Sequence, residues 1–310
     1  MGVAALCASH TPLKDLHSPG AEAATEVAAT FTEIRAWVGA FDPDLVIVLG
    51  PDHFNGFFYH LMPPFCIGAE AHSLGDWSTP TGVLPVDQQL AEACTEFLHS
   101  RGIDMAISYR MQVDHGLTQT LQMTMEWATL PPIIPLFINC AAPPRPPFAR
   151  VIALGRALGE FARDCGRRVL LISSGGLSHD PPVPSLADAP PEIRERLIAG
   201  GALSATARAA RQARVAEEGL RQSSGLSDCV PVNAHWDKGF IDLLVNRDFD
   251  QIAAFDDGTL TAVAGRGGHE VRTWVAAAAA MSVIPETHAR LRMYRPIPIW
   301  VAGFGVLTIE

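Results

Sequence analysis

Positive charge is scarce in this chain: 23 Lys and Arg stand against 33 Asp and Glu, for a formal net charge of −10. No run of basic residues offsets that balance locally, so the footprint of a nucleic-acid-binding surface is missing. Paired cysteines are missing too. The six cysteines, at 7, 66, 94, 140, 165 and 229, form no C-x-x-C pair and are scattered through apolar surroundings. That pattern disfavours structural zinc and a disulfide framework, and predicts reduced, buried thiols in a cytoplasmic protein. No membrane partner is expected: the longest late apolar stretch, 274–284, is Ala-rich and about half the length a bilayer requires. The opening MGVAALCASH has no basic n-region and too short an apolar run for a signal peptide, and Leu6 stands where a myristoylation motif places Ser or Thr.

Several signatures of common enzyme classes are also absent. There is no G-x-S-x-G for a serine hydrolase. His269-Glu270 has no second histidine one turn later, as the helical zinc-protease motif demands. Ser174-Gly175-Gly176 lacks both the P-loop lysine and the dinucleotide glycine pattern, so a tight turn explains its glycines as well as a phosphate would.

What is present is ordinary globular material, 48% apolar and 18% charged over 310 residues, enough for a large core. Apolar, β-branched runs predict strands at 3–8, 44–50, 105–109, 133–138 and 169–173, with a possible edge strand within 294–309. Helical spacing falls at 21–40, 86–101, 117–128, 148–164, 202–221, 243–257 and 269–284. Residues 55–69 read as a loop or short hairpin and 181–191 as irregular. No repeat or long linker divides the chain. The expectation is one α/β domain over 1–310, with a central mixed, largely parallel sheet flanked by helices and a site at the C-terminal ends of the strands.

Four histidines carry that last expectation. His10, His53, His115 and His179 each follow the end of a predicted strand, the edge where open α/β sheets bind ligands. Two neutral imidazoles and a carboxylate on one face of a metal leave positions open and suit Fe(II) enzymes that bind both a substrate and O₂, with zinc the rival at any histidine-rich site. Glu270 opens a helix after Gly265-Arg266-Gly267-Gly268. It reads equally as a first-turn carboxylate favoured by the helix dipole. Asp52 and Asp114 each adjoin a histidine and could orient its ring, or simply solvate a surface. Phe54, Phe57, Phe58, Tyr59 and Phe65 could wall an aromatic pocket or pack in a core.

A resemblance narrows these alternatives. The motifs Ser9-His10-Thr11-Pro12, Pro51-Asp52-His53-Phe54-Asn55-Gly56, Met62-Pro63-Pro64-Phe65-Cys66, Val113-Asp114-His115-Gly116, Ser173-Ser174-Gly175-Gly176-Leu177-Ser178-His179 and Gly268-His269-Glu270 occur in this order along nearly the whole chain. Together they resemble the class III extradiol ring-cleaving dioxygenases, and most of all the branch acting on 3-(2,3-dihydroxyphenyl)propionate and its cinnamate analogue. The resemblance implies Fe(II) held by His10, His53 and Glu270, acid/base work by His115 and His179, a catechol and O₂ as partners, and a homo-oligomer. A protocatechuate- or gallate-type catechol, or a zinc enzyme on the same fold, stays as the alternative. The carboxylate of such a substrate requires a cation, for which Arg110, Lys238, Arg292 and Arg295 are candidates. The resemblance carries no functional motif onto residues 202–221.

Overall fold

The computed structural model describes residues 2–310. The chain opens with strand β1 (Val3–Ala8), crosses through helix α1 (Ala21–Phe41) and returns as β2 (Leu45–Gly50). Short strands follow: β3 (Phe65–Gly68), β4 (Ala71–Leu74) and β5 (Thr81–Val83). Helix α2 (Gln88–Ser100) leads to β6 (Ala106–Ser108), β7 (Met111–Val113) and α3 (His115–Thr124). Then come β8 (Ile133–Ile138), α4 (Phe148–Asp164) and β9 (Val169–Ser174). A helical stretch holds α5 (Pro191–Ala199), α6 (Ala205–Ser223), α7 (Ala234–Val245), α8 (Phe249–Ala253), α9 (Asp257–Ala264) and α10 (Val271–Met281). The hairpin β10 (Ala289–Ile297) and β11 (Ala302–Ile309) closes the chain.

Eight strands form the main sheet in the order β10-β11-β1-β9-β2-β8-β3-β6. Its centre, β1, β9, β2 and β8, is parallel throughout, and every residue of β2, β8 and β9 is buried. Such runs are apolar on both faces because helices cover both. Alternation along β1 shows the two layers: Ala5 and Cys7 join the core with α4 and α10, while Ala4, Leu6 and Ala8 join the core with α1 and α3. The expected mixed, mostly parallel sheet is therefore present. The parallel centre sets the site, because three of its strands end on the same edge, just before residues 10, 53 and 179.

Several expectations are corrected. The stretch 55–69, expected as a loop or short hairpin, contains β3, which pairs antiparallel with the distant β8. His115 does not follow a strand of the main sheet. It follows β7, which belongs to a small separate sheet, β5-β4-β7. The single helix expected at 243–257 is three helices, because the Asn233, Asp248 and Asp256 side chains each cap a new helix start, as short polar side chains do for orphan N–H groups. The C-terminal stretch 294–309, expected to hold a possible edge strand, also holds β11, which lies inside the sheet between β10 and β1 and is buried along its full length. Its partner β10 forms the edge.

The Ala-rich run first noted for its length is α10, buried at all of its residues. Small side chains let it lie close against α4. A Cβ on Gly159 would fall inside the carbonyl oxygen of Ala280, so the helices would have to separate. Gly159→Val should therefore destabilise the fold by roughly 1–3 kcal/mol, read as a lowered thermal midpoint. An unchanged midpoint would mean the α4–α10 contact yields at no cost.

Candidate active site

Each site side chain is placed by the chain immediately around it. Ser9 donates to the Gly303 carbonyl and Thr11 to the Trp300 carbonyl, while the Thr11 amide donates to the Gln119 side chain. His10 between them is thus held off the end of β1. Its Nδ1 pairs with Ser174 Oγ at 3.1 Å, and Thr120 donates to that same hydroxyl, leaving Nε2 toward the cavity. Burial pulls the His10 imidazolium down to a pKa of about 3, against the opposing charge of Glu270. The ring is neutral, the form that ligates a metal.

His53 is oriented by Asp114, which lies beside His115 in sequence. Both the His53 amide and its Nδ1 donate to Asp114, at 2.9 and 3.2 Å, and Asn55 donates to the same carboxylate. Asp114 also caps α3 through the Gly116 amide. Asp52, the sequence neighbour of His53, instead accepts the amides of Asn55, Gly56 and Phe57. Burial and the nearby Asp114 charge push the Asp52 carboxyl up. Of the two aspartates considered as orienters, Asp114 serves the distant histidine and Asp52 serves a turn.

His115 has its own carboxylate, and sequence reading does not single it out. Asp76 accepts the His115 amide at 2.8 Å and its Nδ1 at 2.6 Å. The ring then stacks on His53, with centroids 4.4 Å apart. His179 donates Nδ1–H to the Leu177 carbonyl at 2.9 Å, which turns Nε2 toward Glu270. Gly267 lies against that nitrogen so closely that a Cβ there would land on it.

Glu270 is not the surface carboxylate of an ordinary helix start. It ends a 3-10 turn (Gly267–Glu270) and is buried. Its Oε2 accepts the Gly176 amide at 2.8 Å and lies 3.6 Å from His10 Nε2. Its Oε1 lies 3.2 Å from His53 Nε2 and 3.4 Å from His179 Nε2. Burial would raise this carboxyl, but the surrounding imidazoles outweigh it and hold Glu270 well below the usual carboxylate range. His53 is the mirror case: burial lowers it, and the charges of Asp114 and Glu270 raise it well above an ordinary histidine. His269, by contrast, points away. Arg272 donates to its Nδ1 and Thr261 partners its Nε2. All five residues singled out in the sequence, His10, His53, His115, His179 and Glu270, therefore meet at one place.

Two cavities share a wall there. The smaller is lined by His10, His53, Trp77, His115 and His179. The larger, about 600 Å³, is lined by His53, Glu270, Phe54 and Tyr59 among others. The aromatic cluster thus divides. Phe54 and Tyr59 face the cavity, whereas Phe57 stacks on Phe137 and Phe58 and Phe65 are buried. The four cations proposed for a substrate carboxylate are elsewhere, and none lines either cavity. Arg292 bonds Thr308, Arg295 pairs with Glu22 and Glu26, and Arg110 and Lys238 are exposed. Arg211 of α6, in a region with no motif to betray it, lines both cavities instead.

Imidazoles clustered around a buried carboxylate, on the ligand-binding edge of an α/β sheet, have the build of a metal-centred enzyme. Comparison with known proteins gives the family. The model for the catalytic LigB subunit of aromatic ring-opening dioxygenase matches residues 4–305, and the chain belongs to that family. It is an extradiol ring-cleaving dioxygenase, an oxidoreductase. A 2,3-dihydroxyphenylpropionate/2,3-dihydroxicinnamic acid 1,2-dioxygenase of Dechloromonas aromatica (strain RCB) is 47% identical over 302 residues, covering 97% of each chain. Its counterpart in Azotobacter vinelandii is 47% identical over 304 residues, covering 98% of this chain and 97% of the relative. That of Pseudomonas putida is 45% identical over 303 residues, covering 97% and 96%. An uncharacterized protein of Escherichia coli K12 shares the fold, with a TM-score of 0.54 at 16% identity over 99% of both chains. No helix among the described residues is long and apolar enough to cross a membrane.

Proposed function

We propose that this enzyme opens the ring of 3-(2,3-dihydroxyphenyl)propionate, and of the cinnamate analogue, with O₂ to a 2-hydroxy-6-oxo-dienedioate. Fe(II) is held by His10, His53 and Glu270. The observation that carries the reading is Glu270, whose two oxygens lie 3.6 and 3.2 Å from the Nε2 atoms of His10 and His53. Neighbouring ligand atoms on an octahedral ion with bonds of ~2.1 Å are ~3 Å apart, so the donor set fits with little movement. When bound, the ion supplies the Lewis acidity and electron transfer that join a catechol to O₂.

The chain's own residues do the rest. Leu177 fixes the proton on His179 Nδ1, so Nε2 is the atom that accepts a phenolic proton from the diol. Asp76 fixes the proton on His115 Nδ1 in the same way, so proton exchange with the substrate runs through Nε2, and it is as the imidazolium that this ring delivers a proton during ring opening. Phe54 and Tyr59 give the cavity an apolar wall for the aromatic ring.

A second metal set is favoured by one observation. His10, His53 and His115 bring ring nitrogens within 4.8 Å of one another, an arrangement suited to zinc. Glu270 argues against it, being the carboxylate in contact with both His10 and His53. Free, mostly buried cysteines support a cytoplasmic location, and a homo-oligomer belongs to the same reading.

The test is oxygen uptake by the apo-enzyme after anaerobic loading with Fe(II) or Zn(II), against a panel of catechols. Fe(II) should restore uptake and a yellow ring-fission product, fastest with the propionate and cinnamate. Activity with zinc, or preference for a protocatechuate or gallate, would overturn the assignment.

A further inference from the structure

The larger cavity is lined by four arginines, Arg145, Arg194, Arg211 and Arg266, against one carboxylate, Glu270. Two of these arginines are occupied. Arg145 pairs with Asp257 and donates to the Cys140 carbonyl. Arg266 pairs with Asp180 and donates to the carbonyls of Pro181 and Val183. Arg194 is exposed, lines only the larger cavity and donates to the Leu186 carbonyl.

Arg211 differs from all three in position. It lines both cavities. Among the described residues it has no carboxylate in ion-pair contact, and its single hydrogen bond runs from one terminal nitrogen to the His53 carbonyl at 2.9 Å. A guanidinium carries five N–H donors in a planar fork that matches a carboxylate. One donor fixed on the His53 backbone holds the fork at the site and leaves the others unspent. Burial pulls its pKa below the ordinary arginine value, while the carboxylates of Asp114, Asp52 and Asp76 act the other way. Those three are themselves engaged by backbone amides.

We infer that Arg211 is the specificity-determining residue that binds the side-chain carboxylate of the substrate. The inference rests on the proposed arylpropionate activity and adds the group that selects for it. A propionate arm carries its carboxylate about 5 Å from the ring. With the diol beside His53, the arm reaches along the wall the two cavities share. The ring is held at one end and the charge at the other, which discriminates against catechols with neutral or no side chains.

Two measurements test this. The first compares kcat/KM for 3-(2,3-dihydroxyphenyl)propionate and for 3-propylcatechol, which lacks the carboxylate. In Arg211→Gln the propionate should lose about 10²-fold more than the neutral catechol, and Arg211→Lys should recover part of the loss. An equal fall for both substrates would overturn the inference, since Arg211 would then act only through the His53 backbone. The second needs no turnover: calorimetric binding of 3-phenylpropionate to the iron-loaded enzyme. Binding at least tenfold weaker in Arg211→Gln supports the anchor even if the favoured catechol proves to be another. Unchanged binding overturns it while leaving the ring-opening activity untouched.

Discussion

Glu270→Ala, purified under anaerobic conditions and loaded with Fe(II), should retain less than about a tenth of the wild-type iron, whereas His115→Ala should retain nearly all of it. The two variants separate the rival ligand sets. Glu270 is fixed by the Gly176 amide and faces His10, His53 and His179. Removing it leaves the imidazoles in place but deletes the carboxylate that faces the Nε2 atoms of all three. His115 is held by Asp76, in the turn that follows β4 of the small sheet, so its loss empties one wall of the small cavity without disturbing the proposed ligands. Full iron in Glu270→Ala together with depleted iron in His115→Ala would transfer the ligand role to the three-histidine set.

The second large effect concerns turnover. His179→Gln should bind iron and catechol and still lose about 10² to 10⁴ in kcat. Glutamine can fill the space beside Gly267 and keep a hydrogen bond to Leu177, but it cannot accept a proton. His115→Gln should show a loss of the same order, because Asp76 leaves only Nε2 of that ring for exchange. Single-turnover measurements locate the two losses: substrate deprotonation for residue 179, a later step for residue 115. Near-wild-type rates in either variant would remove that residue from the chemistry.

How much of this could be read from the sequence depended on distance along the chain. Strands β1 and β8 and helix α4 have the predicted bounds, since each is a continuous apolar or amphipathic run ended by polar or Pro-rich residues. The convergence of His10, His53 and His179 was legible for the same reason, as strand ends in a parallel sheet share an edge. Glu270 was not legible from its own surroundings. A carboxylate at a helix start has an ordinary explanation, and only resemblance gave it another. Asp76 and Arg211 were invisible because they act on residues 39 and 158 positions away. The pairing of Asp114 with His53 follows the same logic. Adjacent side chains diverge at a helix cap, so a histidine's orienting carboxylate comes from across the fold. The helices between 234 and 264 were missegmented because the apolar pattern runs on while Asp248 and Asp256 start new helices.

The five clustered side chains come from residues 10, 53, 115, 179 and 270, on four strand ends and a helical turn. No local segment supplies two of the proposed ligands. A nascent or denatured chain therefore has little affinity for the ion, and its capture must wait for the central strands to align. During refolding, recovery of helical signal should precede uptake of ferrous ion, and a chelator added at the start should delay activity while leaving the rate of chain folding unchanged.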